Sequence, residues 1–311
     1  YAWSFPATVL SGTTPVFTLN PQDTYVCPGD NANFLVVVSG ATTYQWQESN
    51  DGGLNWYNLI DNSTYSGTQT DYLQIMNVTF SMNNYLYRCV VTAGCSGISS
   101  VATLSVGSPP VITKHPIDTT VCPGAPVSFT VLSSTYNTTY QWYENQGSGW
   151  VMLSNTGVYN DVTTNTLTIS NTTGMNGYQY MCVLTTCSYI VNSNIATLSQ
   201  YPYNTWLGFT SDWNISNNWT CGIPSPSSDV IIPSSPMGNY FPMIFSNNVA
   251  TCRDIIISPG ANLTINTGAD LTVYGDWDNG GLPNIGLGKI IFAGTSQVVK
   301  GTNNFNNILF L

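Results

Sequence analysis

Val26-Cys27-Pro28-Gly29 recurs as Val121-Cys122-Pro123-Gly124, and this recurrence opens a duplication that limits what the chain can fold into. Tyr44-Gln45-Trp46 returns as Tyr140-Gln141-Trp142, Tyr87-Arg88-Cys89 as Tyr180-Met181-Cys182, and Ala102-Thr103-Leu104-Ser105 as Ala196-Thr197-Leu198-Ser199. Successive landmarks stay between 92 and 96 residues apart. A repeat of that length must be a unit that folds around its own core. Its short runs of alternating polarity, punctuated by Gly, Asn and Pro, are β-strands, and no window shows helical period of comparable strength.

A period near 95 residues suits a seven-stranded sandwich of the immunoglobulin type. In the first copy residues 34–38 read as strand B, 44–47 as C, 72–76 as E, 85–92 as F and 101–106 as G. Trp46 and Trp142 fall where strand C supplies the central buried indole, and Tyr87 and Tyr180 precede a cysteine by two residues, as a tyrosine corner does. These four are the expected core. The strand B cysteine is missing, because Val36 and Val131 occupy its position, so the usual B to F disulfide cannot form.

That leaves Cys89 and Cys182 facing valine, where a thiol acts as a small hydrophobe. Cys27 and Cys122 belong to A–B turns, and Cys95 and Cys187 to F–G turns at the opposite end of the same sandwich, beyond the reach of a disulfide. Two alternatives stay open. Either Cys27 reaches Cys89 and Cys122 reaches Cys182, or a turn cysteine bonds a neighbouring module, for which Cys27 with Cys187 is geometrically conceivable.

Residues 7–10 lie one period before 102–105, so residues 1–14 read as the last strand of a preceding repeat with its linker. Modules are expected at 15–107 and 108–201. From 202 to 311 the period shortens: residues 254–257, 262–265, 270–273 and 289–292 are short strands joined by small turns, the pattern of a β-solenoid related to the parallel β-helix. It stops inside an apolar strand, which reads as a truncation. The expected fold class is therefore all-β, tandem immunoglobulin-like sandwiches followed by a β-solenoid. Cys221 and Cys252, the only cysteines of the last part, are expected to pair.

Only 6% of the 311 residues are charged, against about 25% in ordinary proteins. Five Lys plus Arg face fifteen Asp plus Glu, a formal charge of -10. Nucleic acid and anionic membranes require clustered cations, so neither is an expected partner. No stretch approaches the 18 or so apolar residues of a spanning helix, and eight cysteines point to an oxidising, extracellular setting.

Residues 49–56 fit S-x-D-x-G-x-x-W, the Asp-box pattern of sugar-processing propellers. The motif follows strand C, and the second copy replaces it with residues 144–150 and drops the aspartate, so it reads as the C to C′ turn. Catalysis lacks the necessary groups. The one histidine, His115, stands at the kink of strand A, and Glu48 and Glu144 belong to separate modules, too far apart to flank one glycosidic bond. No enzyme activity, cofactor or zinc site is expected. Asp276, Asp278 and Asn279 form a weak calcium candidate that lacks the closing glutamate, and a plain coil turn accounts for it. Asn-x-Ser/Thr triplets occur at Asn62, Asn77, Asn137, Asn171, Asn214, Asn218 and Asn262, as a chain rich in Asn and Thr generates by composition.

The run of Cys-Pro-Gly, Tyr-Gln-Trp-Gln, Asp-Gly-Gly-Leu-Asn-Trp, Ser-Met-Asn and Tyr-Arg-Cys-Val-Val resembles the Ig-like repeats of very large secreted and cell-surface proteins of Bacteroidota. Residues 211–219, 229–233 and 259–265 look like the solenoid-type module that often follows such repeats. The resemblance covers nearly the whole chain and implies an adhesin, a gliding-type surface protein or an accessory to a secreted enzyme, exported by the type IX system. It implies cell-surface location, with glycans, other surface proteins, further copies of the chain or secretion machinery as partners and no membrane insertion. The expected role is a non-catalytic structural and adhesive segment. The alternatives are an accessory carbohydrate-binding region of a secreted hydrolase or a subunit of a self-assembling filament. Tyr57 and Trp150 are the candidates for stacking on sugar rings.

Overall fold

A computed structural model describes residues 14–282 and 288–311. Among them regular structure is β-strand apart from two single-turn 3-10 helices, Phe80–Met82 and Ser216–Asn218. The orphan strand expected at residues 7–10 lies outside the described residues.

Each repeat folds as the same two-layer sandwich. In the first, one layer runs Thr24–Val26, Ala102–Val106, Tyr85–Ala93, Thr43–Ser49, Tyr57–Asn58, with Cys95–Ile98 also on Tyr85–Ala93. The opposing layer is Ala32–Leu35, Tyr72–Ile75, Tyr65–Ser66. The second repeats this order with Thr119–Val121, Ala196–Gln200, Gln179–Thr186, Thr139–Asn145 and Trp150–Met152 facing Val127–Thr130, Thr166–Ile169 and Tyr159–Asn160. Strand period 2 explains the cores: Gln179–Thr186 alternates half-buried and buried residues along its whole length, so one face fills the sandwich and the other is partly wet.

Trp46 and Trp142 are fully buried, and each indole donates to a carbonyl of the opposing layer, Thr70 O and Thr164 O, at 2.9 Å. Phe34 stacks on Tyr87 and Phe129 on Tyr180, both at 4.9 Å between centroids. The tyrosines thus serve as core aromatics. Tyr180 Oη donates to Met175 Sδ, while the Tyr87 hydroxyl is buried without a hydrogen-bond partner, so neither shows the backbone bond that defines a tyrosine corner.

Residues from 204 onward form stacked parallel coils. Asn204–Thr205, Val230–Ile232, Ile255–Ile257, Trp277–Asn279 and Val299–Gly301 make one parallel sheet, and Val249–Cys252, Asp270–Val273, Lys289–Phe292 and Ile308–Phe310 make another. In-register residues build columns such as Cys252, Val273 and Phe292, which bury apolar side chains continuously along the stack. Trp206, Trp213 and Trp219 lie edge-to-face, with centroids 4.9 and 4.6 Å apart, and close the first coil.

The cysteine pairing departs from the expectation for the last part. Cys221 is joined to Cys122, and Cys252 is a buried thiol. The reason is register: Cys252 points into the coil column, whereas Cys221 sits in the loop of the first coil between Asn204–Thr205 and Val230–Ile232, within disulfide reach of Cys122 in the second sandwich. Of the two alternatives for the repeats, the structure takes the inter-module one, joining Cys27 to Cys187. Cys89 and Cys182 remain buried thiols, and burial pushes both up to about 12. Cys95 stands in the F–G hairpin, where the second module has Cys187.

Candidate functional site

The Asp-box loop satisfies itself. Ser49 Oγ donates to Asp51 at 2.7 Å and accepts the Gly53 amide at 2.9 Å, and the Asn55 amide and side chain both donate to Asp51. Gly52 and Gly53 supply the positive φ values, 77° and 93°. With its oxygens committed to this turn, Asp51 is a structural brace. In the second module Asn145 Oδ1 accepts the amides of Gly147 and Gly149 and performs the same task without charge.

The hydrogen bonds from the Asn55 amide, then those from Ser49 and the Asn55 side chain, lower the Asp51 carboxyl to about 2. A depressed carboxyl contributes order that is fully present above its ordinary value of 3.8 and is lost as pH falls through about 2. Acidification from pH 4 to pH 2 is therefore expected to release the Asn55 amide to solvent exchange while Gly147 and Gly149 stay protected. Simultaneous release of both loops in NMR exchange experiments would show that Asp51 is not the brace.

The other candidates are dispersed. His115 Nδ1 accepts the Asn194 amide at 2.9 Å, the role that Asn20 plays toward Ser100 in the first module. Glu48 accepts from Tyr65 Oη at 2.6 Å, and Glu144 accepts a short bond from Tyr159 Oη and a 2.9 Å bond from Gln146. These glutamates stand in as acceptors inside separate sandwiches and do not converge. Asp276, just before the strand Trp277–Asn279, and Asp278 within it are exposed, while Asn279 is buried and donates to Thr302 O, so the three calcium candidates do not share one face. Asp276 instead accepts the Val298 amide of the next coil, as Asp254 accepts that of Asp276. Tyr57 and Trp150 are exposed on edge strands of different modules. Asn218 is fully buried, and its amide donates to Thr210 Oγ1 and Asp212 O.

Two of the clefts lie at the junctions between modules. At the first, Tyr25 meets Tyr136 edge-on with centroids 5.6 Å apart, and the Tyr25 hydroxyl lies 3.7 Å from Cys187 Sγ. Burial, with a smaller contribution from Tyr136, raises the Tyr25 phenol above its ordinary value. Gly107 closes the linker here, because a Cβ would stand 2.4 Å from Cys187 Sγ and 2.7 Å from Tyr25 Oη. The resulting cleft has a volume of about 390 Å³. At the second junction a cleft of about 290 Å³ lies beside the Cys122 to Cys221 disulfide, between Tyr201, Tyr203 and the Ser225 to Ser228 hydroxyls. Sequence reasoning passed over both, since each is assembled from two modules. At the second junction the neighbouring exposed Tyr201 and Tyr203 were an available signal, whereas at the first Tyr25 and Tyr136 lie far apart in the chain and gave none.

Among protein families, one described as Immunoglobulin domain matches residues 109–185. Domain of unknown function (DUF8696) matches residues 18–108, and Domain of unknown function (DUF8693) matches residues 205–287. The first two modules are immunoglobulin-like. No curated protein matches the chain. Similar solved structures include a chimeric titin Z1Z2 carrying an exogenous decorin peptide, 20% identical, covering 62% of this chain and 99% of that one with a TM-score of 0.35. The N-terminal Ig1-2 module of the Drosophila receptor protein tyrosine phosphatase DLAR is 22% identical over 61% of this chain and 100% of that one, TM-score 0.26. Dpr2 Ig1-Ig2 in complex with DIP-Theta Ig1-Ig3 is 19% identical over 61% and 67%, TM-score 0.38. No helix among the described residues is long and apolar enough to cross a membrane.

Proposed function

We propose that this chain is a non-catalytic extracellular segment of a large bacterial cell-surface protein, with modules at 15–107, 108–201 and 202–311 that project from the surface and bind neighbouring material. The observation that carries the reading is covalent: each module is disulfide-bonded to the next, Cys27 to Cys187 and Cys122 to Cys221. Such bonds persist outside the reducing cytosol. They hold successive modules together under load, which suits a stalk. The sparse charge supports the same reading, because a surface of hydroxyls and amides meets neutral glycans or another copy without stripping water from ions.

Antibodies raised against the chain are expected to label intact cells of the source organism, and removal of the segment is expected to weaken attachment. Labelling that requires permeabilised cells would overturn the surface assignment. Attachment unchanged, with loss of a secreted polysaccharide-degrading activity instead, would favour the accessory region of a hydrolase.

A further inference from the structure

We propose that the cleft between the first two modules is a binding site for a neutral oligosaccharide. The proposal rests on the reading of the chain as a surface segment that binds, and it names where and what.

The cleft is preformed. The Cys27 to Cys187 bond joins the two modules that form it, beside the Tyr25 hydroxyl, and Gly107 lets the linker pass close to both. Its side is the loop carrying Tyr136, pinned to the linker because Thr135 Oγ1 accepts the Val111 amide and donates to Pro109 O. Within the loop Ser133, Thr135 and Thr138 bond one another. A site held this firmly loses little freedom when a ligand enters.

Its chemistry is amphipathic and uncharged. Tyr136 is 71% exposed. It lies in the B–C loop, where the first module runs Ser39-Gly40-Ala41-Thr42 and has no aromatic residue, so the duplicated fold forms without this ring. The ring and Tyr25 offer an apolar face with polar tips, suited to the C–H face of a pyranose. Ser105, Ser108 and Ser134 line the same cleft and supply hydroxyls that both donate and accept. No Lys, Arg, Asp or Glu lines it. A carboxylated or sulfated sugar would lose water there without gaining a counter-charge. A volume of about 390 Å³ falls within the roughly 300–1,000 Å³ of small-ligand sites.

The test titrates the full chain with cellohexaose, mannohexaose and maltohexaose, and with a galacturonic acid hexamer as the anionic comparison, by calorimetry. Binding of at least one neutral hexaose is expected, with affinity at least tenfold weaker in Tyr136→Ala and unchanged in the double variant Tyr57→Ala, Trp150→Ala. Thermal unfolding of Tyr136→Ala is expected to match the unaltered chain, since the ring is mostly exposed. Three results overturn the assignment: no binding of any neutral hexaose, preference for the galacturonic acid hexamer, or loss confined to the Tyr57 and Trp150 variant. The last leaves the surface-binding reading standing. That reading falls separately, on failure to label intact cells.

Discussion

Pulled from its two ends to full unfolding, the oxidised chain is expected to stop roughly 55 nm short of the reduced chain, at about 3.3–3.6 Å of contour per residue. Tension entering at residue 27 crosses the bond to Cys187 and shields the 160-residue separation between them. The two bonds interleave in sequence order 27, 122, 187, 221, so the shortest covalent route runs 27 to 187 and then along the backbone to 221. Removing Cys122 by Ser substitution leaves that route intact, and the final length is expected to be unchanged. Cys27→Ser forces the route through residues 27–122 and the second bond, and is expected to add roughly 20 nm. Single-molecule extension with and without reductant reads all of these, and equal lengths for the oxidised parent and Cys27→Ser would refute the connectivity. At equilibrium the same closures restrict the unfolded chain. On the chain-entropy estimate each contributes on the order of 5 kcal/mol.

Trp142→Ala is expected to cost about 3–5 kcal/mol, the range for truncating a buried aromatic residue. The indole is fully buried, and its loss also leaves the Thr164 carbonyl without its donor. Domain stabilities are about 5–15 kcal/mol, so the second module is expected to populate its unfolded form under mild urea. Cys182 reports this directly, because its thiol is buried and pushed up to about 12 in the folded state. Alkylation should reach Cys182 at low urea while Cys89, in the other sandwich, stays protected. Equal exposure of both thiols would mean that the modules unfold as one unit.

Much of the fold is visible in single residues. Alternation in residues 102–106 announces a two-faced strand, and Trp46 and Trp142 mark where each sandwich closes. The roles of polar residues were legible only by comparing copies. Asn20 and His115 are chemically unlike, yet each accepts the amide two residues before the last strand, because an imidazole nitrogen and an amide oxygen serve equally as acceptors. Ser49 with Asp51, and Asn145 alone, are two solutions for one turn. The candidate sugar contacts Tyr57 and Trp150 are exposed on edge strands of different modules, whereas Tyr25 and Tyr136 come together only where two modules meet.

Local pattern by itself determined the strands, the duplicated sandwich and the change to a coiled stack, because side-chain alternation and turn chemistry act over a few residues. Tertiary structure decided the cysteine partners and the clefts. Cys221 lies 99 residues from Cys122 and 31 from Cys252, yet bonds the farther one. Sulfur pairing follows distance and direction in space, and in the stack Cys252 is turned inward by the same alternation that makes its strand.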